Sequence, residues 1–367
     1  MDGKINVINI VGPFVMGGAE NMVYELAKAY KSEEVNSLVI SIGNRKGTFL
    51  EQKIDDANIR IVYAECSGTV TPLKLYKVYK IIKGFKPNII HAHMSGVVYS
   101  LPWILTHRCK MIVTAHTTPK EAFNSRVTKI LKFLSVLNKV VIVGVSEENA
   151  KLMKSFYNLD DKHVKCVNNG VDVSRYYNKD HEMFTFVHVG RQDDNKNQSL
   201  IIRCFAKVLD RYPNTKLILC GDGPLRSNLE SLVKDLDIEK SVLFTGNVCN
   251  VQDYLAVSDA YLQSSHREGL PLSVVEGMAS SLPIISTNVG GMKNVVKDNG
   301  ILIQDNDEDG YLHAMMQIRK NEELRKKMGA ISLEMTNPFS SKTMAHKYLE
   351  IYKDNIRYDK KFTPTEY

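Results

Sequence analysis

The sequence predicts an α/β protein with two Rossmann-like, doubly wound domains facing each other across a cleft. Its 367 residues are too many for one compact core and suit two domains. Short runs rich in Val and Ile alternate with helical stretches, which is typical of parallel strands covered on both faces. This alternation occurs twice, on either side of a polar, Tyr-rich segment. Such folds bind ligands at the carboxyl ends of their strands.

The first half alternates strands and helices from Lys4 onward. Its predicted strands are INVINIVG, SLVISIG, IRIVYA, NIIHAH, KMIVTAH, VVIVGVS and HVKCVNNGV. Its predicted helices are GGAENMVYELAKAYKSE, LKLYKVYKIIKGFK, RVTKILKFLSVLNK and EENAKLMKSFY. These elements predict a first domain over residues 1–170, followed by a linker at 171–183.

The second half repeats the pattern and predicts a second domain over residues 184–339. Its predicted strands are FTFVHVG, TKLILCGDGP, SVLFTGN, AYLQSS and GILIQ, with helices between them. The last long helix is amphipathic, and we expect residues 340–357 to pack back toward the first domain. Residues 358–367 are polar, so we expect a flexible tail there.

The composition is that of a soluble protein, which we expect to be cytoplasmic. Hydrophobic residues make up 44% and charged residues 24% of the chain. Six cysteines without a CxxC pair indicate reduced, buried thiols instead of a disulfide framework or a zinc site. The apolar start lacks a basic leader and a small-residue cleavage site, which favours a first strand over a signal peptide. No apolar run reaches the roughly 18 residues that a membrane span needs.

Charge is unevenly distributed along the chain. The first 175 residues carry 24 Lys and Arg against 15 Asp and Glu, whereas the remainder carries 24 against 26. A basic half suggests that the first domain meets an anionic surface or acceptor. We expect no nucleic-acid partner, because the sequence contains no aromatic-interleaved basic motif and no zinc finger.

The most informative stretch is residues 264–291, SSHREGLPLSVVEGMASSLPIISTNVGG. It places Glu268 and Glu276 eight positions apart, around Pro271 at the expected first position of a helix. The free N–H groups and the dipole of that helix start would favour an anion. A carboxylate beside a bound nucleotide can also accept hydrogen bonds from sugar hydroxyls. The alternative is an ordinary strand-to-helix loop whose Glu only complements the helix dipole.

Glycines at other strand ends offer further contacts for phosphate. Gly269 would let a phosphate approach the backbone, and the Gly17-Gly18 pair, with Gly18 starting a helix, would do the same for a diphosphate. A tight turn is the alternative explanation for the pair. Neither this pair nor Gly221-Asp222-Gly223 forms a GxGxxG fingerprint, which argues against a nicotinamide dehydrogenase.

Two cations follow the strand FTFVHVG. Arg191 offers forked hydrogen bonds and Lys196 a point charge, a combination that suits a nucleotide diphosphate. The alternative is a solvated loop, because Asp193 and Asp194 lie between them.

Three histidines lie in or after predicted strands. His91 and His93 are two positions apart in a strand, so their side chains lie on the same side and a metal site is conceivable. However, no clustered Cys or carboxylate completes such a site. We therefore expect His93 to be a packed or hydrogen-bonded residue. His116 stands alone at a strand end and is the better candidate for touching substrate. For the acidic run at 305–309 we expect helix capping and solvated charge instead of metal binding.

These segments together resemble the family 4 glycosyltransferases of the GT-B fold over nearly the whole chain. HREGLPLSVVEGMASSLPIISTNVGG matches the family's E-x7-E motif closely, and this motif is highly specific. GPFVMGGAE, NNGVD, VGRQDDNKNQ, GDGPLR and FTGNV resemble other family segments in the right order. Two positions depart from the family, which usually has an acidic residue where Asn294 stands and a glycine where Ser281 stands.

The resemblance implies retaining transfer of a sugar from a nucleotide diphosphate donor, with UDP-sugar expected, and with no bound metal or other cofactor. It implies that Arg191 and Lys196 neutralise the diphosphate, that Glu268 contacts the donor sugar and that Glu276 holds the ribose. His116 would lie beside the sugar and the acceptor, and Val248 would contact the base. The rest of the implied donor site consists of Gly17, Gly18, Gly269, Leu270 and Leu272.

The expected acceptor is a glycan or a lipid-linked oligosaccharide used in bacterial surface polysaccharide synthesis. In LKLYKVYKIIKGFK lysines recur every third residue, and RVTKILKFLSVLNK combines three basic residues with apolar ones. These helices could simply cover the sheet, or they could hold the enzyme peripherally on the anionic inner face of the plasma membrane. The alternatives in function are a nucleotide-sugar epimerase on the same fold and a non-catalytic nucleotide-binding partner of another transferase.

Overall fold

The computed structural model describes residues 4–15, 17–30 and 35–360, which divide into two compact units. The first unit runs up to Gly170 and resumes at Ser341, and the second is Val171–Ser340. Each unit is a parallel sheet with helices packed on it, which confirms the predicted pair of Rossmann-like domains. The segment predicted as a linker belongs to the second unit. The predicted flexible tail is wrong at residues 358–360, which end the last helix, and its residues 361–367 lie outside the described residues.

In the described part of the first unit, seven parallel strands form one sheet in the order β3-β2-β1-β4-β5-β6-β7. They are β1 (Ile5–Val11), β2 (Val35–Ser41), β3 (Ile61–Tyr63), β4 (Ile89–His93), β5 (Lys110–Ala115), β6 (Val140–Gly144) and β7 (Val164–Cys166). The chain moves outward on either side of β1 and β4, so these two neighbours mark the switch point of the sheet.

Helices cover both faces of this sheet, because alternate strand residues enter different core clusters, with Ile8 on one face and Val7 on the other. The helices are α1 (Gly18–Ala29), α2 (Phe49–Asp56), α3 (Pro72–Phe85), α4 (Gly96–Thr106), α5 (Pro119–Ala122), α6 (Ser125–Val136) and α7 (Glu147–Tyr157). Local signals start several of them. Thr48 forms a capping box with Glu51 at α2, and Asn124 caps α6.

The described residues of the second unit form a six-stranded parallel sheet in the order β10-β9-β8-β11-β12-β13. Its strands are β8 (Phe184–Val189), β9 (Thr215–Cys220), β10 (Val242–Gly246), β11 (Ala260–Gln263), β12 (Ile284–Thr287) and β13 (Gly300–Ile303). Its helices are α8 (Gln198–Arg211), α9 (Arg226–Asp235), α10 (Val251–Ala256), α11 (Leu272–Ala279), α12 (Met292–Val295), α13 (Glu308–Lys320) and α14 (Glu322–Glu334). Here β8 and β11 are the neighbours at the switch point.

The last helix, α15 (Ser341–Lys360), belongs to the first unit, where its buried face packs beside β1, β4 and β5. A buried chain of hydrogen bonds fixes it there. The Tyr30 hydroxyl donates to that of Tyr352 over 2.7 Å, and Tyr352 is joined to His91 Nδ1, also at 2.7 Å. His91 Nε2 lies 2.7 Å from the Thr114 hydroxyl, which lies 2.8 Å from that of Tyr348. The helix thus completes the polar interior of the first unit.

The sequence did not reveal α2, α4 or β12. Helix α4 contains Pro102 and is apolar over most of its length, so it lacks the two-faced periodicity of a surface helix. Strand β12 is only four residues long, and all four are buried. It therefore shows no alternation of polar and apolar residues, and length alone does not separate it from the surrounding loop.

Candidate functional site

The second unit brings two of the predicted segments together at its switch point. Strands β8 and β11 pair in parallel, so the loops that follow them leave the same edge of the sheet. The loop after β8 carries Arg191 and Lys196, and the loop after β11 carries Glu268. Ligands of open α/β sheets bind at such an edge, beside the switch point.

Hydrogen bonds tie these two loops to each other. The Ser264 hydroxyl donates to the carbonyls of Lys196 (2.7 Å) and Asn197 (2.9 Å). The backbone N–H of His266 donates to the Asn195 carbonyl over 2.8 Å, and the Asn195 amide donates to the Arg267 carbonyl over 3.0 Å. The backbones of the two loops are therefore held at fixed relative positions.

Lys196 and Glu268 form an ion pair, with Lys196 Nζ 2.5 Å from Glu268 Oε1. Only 18% of the Lys196 side chain and 10% of the Glu268 side chain are exposed. Oε1 also accepts hydrogen bonds from Gln263 Nε2 (2.8 Å) and from the Ser265 hydroxyl (2.7 Å). The carboxylate predicted to contact the sugar thus also neutralises the lysine predicted to contact the diphosphate.

Gln263 and Ser265 are functional candidates that the sequence analysis placed only within the predicted strand AYLQSS. Both are fully buried, and Gln263 Nε2 also donates to the Ser265 hydroxyl over 2.7 Å. Their signal in the sequence is two polar residues at alternate positions of a buried strand end, which places both side chains on the same face.

Arg191 presents its charge to solvent, with 71% of its side chain exposed. Asp193 lies 3.8 Å from its Nε, which is a loose, exposed ion pair. Its carbonyl is fixed by Gln198 Nε2 over 2.8 Å, so the backbone is anchored while the guanidinium extends outward. This side chain can turn to meet an anion at little cost.

His188 anchors the same loop as a neutral imidazole. Its Nδ1 lies 2.8 Å from the Leu262 carbonyl, and its Nε2 lies 3.2 Å from Gln198 Nε2. This arrangement requires Nδ1 to donate and Nε2 to accept. Burial, reinforced by the nearby charge of Lys196, lowers the pKa of His188 to about 4, so the imidazole stays neutral.

Helix α11 begins at Leu272, and Pro271 is its N-cap residue. The prediction of Pro271 at the first helical position is therefore wrong by one residue. Its ψ of 125° is extended, so the helix starts only at the residue that follows. Pro271 makes no side-chain cap to the first N–H groups of α11.

The residues before this helix start differ in what they expose. Gly269 is exposed, and a Cβ added there would meet nothing within 4 Å, so the backbone is open to a ligand. The side chain of Leu270 is buried in the apolar cluster of the second unit, and that of Leu272 packs partly against it. Leu270 and Leu272 could therefore contact a donor mainly through their backbone.

Glu276 lies on the second turn of α11 and is partly buried. Burial, with a smaller contribution from the Glu276 carboxylate, raises the pKa of the Cys220 thiol to about 12. Glu276 thus lies on the helix that follows β11, one of the two strands at the switch point. Val248 lies between β10 and α10 and packs partly against the same apolar cluster.

Two close approaches at this edge require glycine, and the sequence did not reveal either. Gly290 has a φ of +51°, and a Cβ there would lie 1.7 Å from the Glu268 carbonyl oxygen. Gly221 has a φ of +123°, and a Cβ there would lie 2.1 Å from the Gly190 carbonyl oxygen. Only glycine fits both the backbone angle and the space, so the loops can pack directly beside Glu268 and Arg191.

In the first unit, α1 begins at Gly18 as predicted, with Gly17 as its N-cap residue. A Cβ added to Gly18 would meet nothing within 4 Å, whereas one added to Gly17 would lie 2.4 Å from Glu20 Oε2. The Glu20 carboxylate therefore covers this helix start, and burial raises its pKa. A diphosphate at Gly17 and Gly18 would meet this carboxylate, which the sequence reasoning did not consider.

His116 follows β5 in the first unit and does not stand alone as predicted. Its Nε2 lies 3.1 Å from Nδ1 of His93, and the rings of His93 and His91 are 4.1 Å apart. Burial lowers the pKa of His116 to about 4 and that of His93 well below its usual value. His93 is thus a buried, hydrogen-bonded residue, in line with the sequence analysis.

The acidic run at 305–309 serves the structure. Asp307 caps α13 by accepting from the Gly310 N–H over 2.8 Å, and Asp305 lies 2.8 Å from His266 Nδ1. Among the described residues, no group of three His, Cys, Asp or Glu side chains is placed to share a metal ion. The arrangement in the second unit can instead bind an anion at Arg191 and the α11 start, with carboxylates ready for hydroxyl groups.

Two protein families match the chain, one over each half. The family described as "Glycosyltransferase Family 4" matches residues 16–175, and "Glycosyl transferases group 1" matches residues 173–335. These ranges agree closely with the two compact units.

Curated relatives extend the match across both units. The chain is 30% identical over 292 residues to N-acetyl-alpha-D-glucosaminyl L-malate synthase of Bacillus anthracis, covering 74% of this chain and 76% of that protein. It is 25% identical over 308 residues to UDP-Gal:alpha-D-GlcNAc-diphosphoundecaprenol alpha-1,3-galactosyltransferase of Escherichia coli, covering 77% and 79%.

Solved structures share the fold. Anabaena Alr3699/HepE, crystallised with UDP and glucose, matches with a TM-score of 0.82 at 16% identity, covering 95% of this chain and all of that one. A glycosyltransferase from Rickettsia africae matches with a TM-score of 0.81 at 19% identity, covering 96% and 99%.

Proposed function

This chain belongs to the family 4 glycosyltransferases of the GT-B fold, and from that premise we propose that it is a retaining hexosyltransferase. Its donor is a UDP-sugar, as the name of the Escherichia coli relative suggests. The observation that carries the proposal is the Lys196–Glu268 pair beside the exposed Arg191, at the switch point of the second unit. That edge combines cations for a diphosphate with a carboxylate for a sugar.

The proposed reaction is a front-side attack in which the departing phosphate oxygen accepts the proton of the acceptor hydroxyl. Arg191 and Lys196 stabilise the charge that grows on this oxygen, which is the largest electrostatic contribution. The N–H groups at the start of α11 and the open backbone at Gly269 assist them. No carboxylate nucleophile is required, unlike in the two-carboxylate scheme of retaining glycosidases.

Carboxylates and the remaining donor-site residues supply specificity in this proposal. Glu276 accepts hydrogen bonds from the ribose hydroxyls, and Glu268 accepts one from a hydroxyl of the donor sugar. Val248 contacts the base through its backbone. Leu270 and Leu272 present their backbone to the donor, because their side chains pack inward. The roles of Gly17, Gly18 and His116 in the first unit stay predictions.

The proposed acceptor is a glycan or a lipid-linked sugar in bacterial surface polysaccharide synthesis. The Escherichia coli relative is named for a diphosphoundecaprenol acceptor. Among the described residues, no helix combines the length and apolarity needed to cross a bilayer. We propose, from the lipid-linked acceptor named for that relative, peripheral contact with the inner face of the plasma membrane.

Helix α6 is the proposed contact surface for anionic lipid. Its inner face buries Val127, Leu131 and Leu134. Its outer face exposes Phe133 (62%), Val136 (61%) and, just after the helix, Leu137 (52%), beside three exposed cations, Arg126, Lys129 and Lys132. Exposed apolar residues flanked by lysines suit insertion into an anionic leaflet. In α3, by contrast, the lysine charges at 74 and 77 are bonded locally to loop carbonyls and to Glu65.

The proposed function is tested by donor binding and product analysis. UDP is expected to raise the thermal unfolding temperature, since a ligand that binds only the folded state stabilises it. A lipid-linked sugar acceptor and a UDP-sugar should then give a product whose new bond keeps the donor's anomeric configuration. An inverted bond would exclude the retaining reaction, and a free epimer formed without acceptor would favour the epimerase. UDP binding without any turnover would favour a non-catalytic partner.

A further inference from the structure

We infer that Glu268 uses its two carboxylate oxygens for different tasks, with Gln263 and Ser265 as the positioning residues that separate them. Oε1 is fixed by donors of the protein itself, and Oε2 is the oxygen offered to one hydroxyl of the donor sugar. This inference rests on the proposed function and adds to it two residues that set the direction of the carboxylate.

Oε1 is fully engaged before any ligand arrives. Lys196 Nζ, Gln263 Nε2 and the Ser265 hydroxyl donate to it over 2.5, 2.8 and 2.7 Å. A carboxylate oxygen has about two lone-pair directions, so three donors leave it no capacity for a ligand. Because Gln263 and Ser265 are fully buried, this anchorage does not depend on mobile surface groups.

Oε2 receives no hydrogen bond from the part of the chain that the structure describes. The Glu268 side chain keeps 10% of its surface exposed, so the group is not sealed from a ligand. An ionised carboxylate can only accept hydrogen bonds, and a sugar hydroxyl is a donor of the right kind. The anchored Oε1 therefore fixes the direction in which Oε2 can accept.

The orientation of Gln263 is itself set by the protein. The Tyr261 hydroxyl lies 3.2 Å from the Val189 carbonyl and 3.4 Å from Gln263 Oε1, so its single proton is shared between these two acceptors. Gln263 Nε2 then faces Ser265 and Glu268 as a donor. A flipped amide would place its oxygen against the carboxylate and lose both bonds, so the chain Tyr261–Gln263–Ser265–Glu268 has one favourable arrangement.

The test is a thermodynamic cycle between a protein variant and one hydroxyl of the ligand. Titration calorimetry measures binding of UDP, of the UDP-sugar that binds best among UDP-glucose, UDP-galactose and UDP-N-acetylglucosamine, and of its singly deoxygenated analogues. The proteins are the wild type, Ser265→Ala, Gln263→Leu and the control Ser286→Ala. Ser286 is a buried serine opposite Gln263 in the neighbouring strand, and its hydroxyl donates to the Thr287 carbonyl and not to Glu268.

We expect Ser265→Ala and Gln263→Leu to bind UDP within about 2-fold of wild type and the UDP-sugar about 5- to 10-fold more weakly. One deoxy analogue should remove most of that penalty, because it lacks the hydroxyl that Oε2 accepts. Ser286→Ala should show no such coupling. A merely structural role would weaken every ligand alike, analogue and UDP included, and that result would overturn the inference.

Failure of the proposed function and failure of this inference give different binding results. If wild-type protein binds neither UDP nor any UDP-sugar, the proposed function fails. If it binds them but neither variant shows a penalty confined to one hydroxyl, the function stands and the division of the two oxygens is wrong. Gln263→Leu serves as the second arm if Ser265→Ala does not fold, since leucine has nearly the volume of glutamine and only the amide is lost.

Discussion

Lys196 and Glu268 lie in loops that follow two neighbouring strands, and their charged atoms approach to 2.5 Å. The lysine therefore has a close ionic partner within the protein, whereas the ionic partner of Arg191 among the described residues, Asp193, is 3.8 Å away. A diphosphate entering this edge would share the Lys196 charge with Glu268 and take the Arg191 charge almost unopposed. The two cations predicted to neutralise the donor diphosphate thus differ in their pairing within the structure.

Replacing Lys196 by Met should destabilise the second unit and weaken donor binding together. The substitution leaves Glu268 as a largely buried carboxylate without its cation, which we expect to cost about 2 kcal/mol of unfolding free energy. Hydrogen exchange of β8 and β11 measures the stability, and calorimetry with UDP measures binding. Lys207→Met is the control, because its exposed pair with Glu308 should contribute less. Unchanged exchange in the Lys196 variant would contradict the proposed importance of the pair.

Replacing Arg191 by Ala should lower the catalytic rate without changing the stability of the protein. Its side chain is 71% exposed and loosely paired, so the thermal unfolding temperature should not change measurably. We expect kcat/KM for transfer to fall by about 100-fold, because the departing phosphate loses a charge partner. Steady-state kinetics with a UDP-sugar measures this loss. Arg211→Ala, at the exposed end of α8, should retain full activity. Equal kinetics in both variants would remove Arg191 from the mechanism.

Replacing Ser281 by Gly should stabilise the protein. Ser281 has a φ of +59° just after α11, where the N–H of Leu282 donates to the Gly277 carbonyl (3.1 Å) in a Schellman-type helix end. Glycine adopts this conformation without the steric cost of a side chain, so the unfolding free energy should rise by about 0.5–1 kcal/mol. Urea unfolding measures the gain. Asn158→Gly is the matched control, since asparagine already tolerates its φ of +51°.

A fall in pH should lower the unfolding free energy of the first unit over a defined pH range. Burial lowers the pKa of His116 to about 4 and that of His91 and His93 well below the usual value, which is about 6.5 in the unfolded chain. Between about pH 6.5 and 4 the unfolded state therefore binds more protons, so the unfolding free energy falls as pH falls and is fully retained above pH 6.5.

The fluorescence of Trp103, the only tryptophan of the sequence, reports on this unit during urea unfolding at several pH values. His116→Gln should make the dependence shallower by up to about 1.4 kcal/mol per pH unit. An unfolding free energy that does not change between pH 7 and pH 5 would contradict the explanation that buried, neutral imidazoles cause the pH dependence.

Polar substitutions on the outer face of α6 should impair lipid binding without unfolding the protein. Phe133→Ser combined with Val136→Ser should weaken binding to phosphatidylcholine vesicles containing phosphatidylglycerol by about 10-fold, because two apolar side chains no longer enter the bilayer. Vesicle sedimentation measures this loss. Leu152→Ser changes an exposed apolar residue on α7 and should bind as wild type does. If vesicles capture wild type no better with anionic lipid than without it, the membrane proposal fails.

Much of the fold could be predicted, because parallel strands buried on both faces appear as short apolar runs. The position of Arg191, Lys196 and Glu268 after the carboxyl ends of strands followed from the same reasoning, but the adjacency of β8 and β11 did not. The pairing of Lys196 with Glu268 could not be foreseen, because it depends on which way two flexible side chains turn.

Tertiary contacts decided the remaining differences. The glycine at position 290 looks like any loop glycine until the Glu268 carbonyl is seen 1.7 Å from its would-be Cβ. The replacement of a usual family glycine by Ser281 was visible in the sequence, and the left-handed backbone there supplies the physical reason for that glycine. His116 appeared isolated because its partner, His93, comes from a strand 23 residues earlier.

The position of α15 has a consequence for biosynthesis. Because this helix lies after the second unit in the chain yet fills the first, a ribosome must release all of Val171–Ser340 before the earlier sheet can cover its Tyr–His interior. During this time one apolar face of the nascent first unit would stay exposed to solvent, while the second unit folds independently. Chaperone dependence during translation should therefore be greatest for the segment made first.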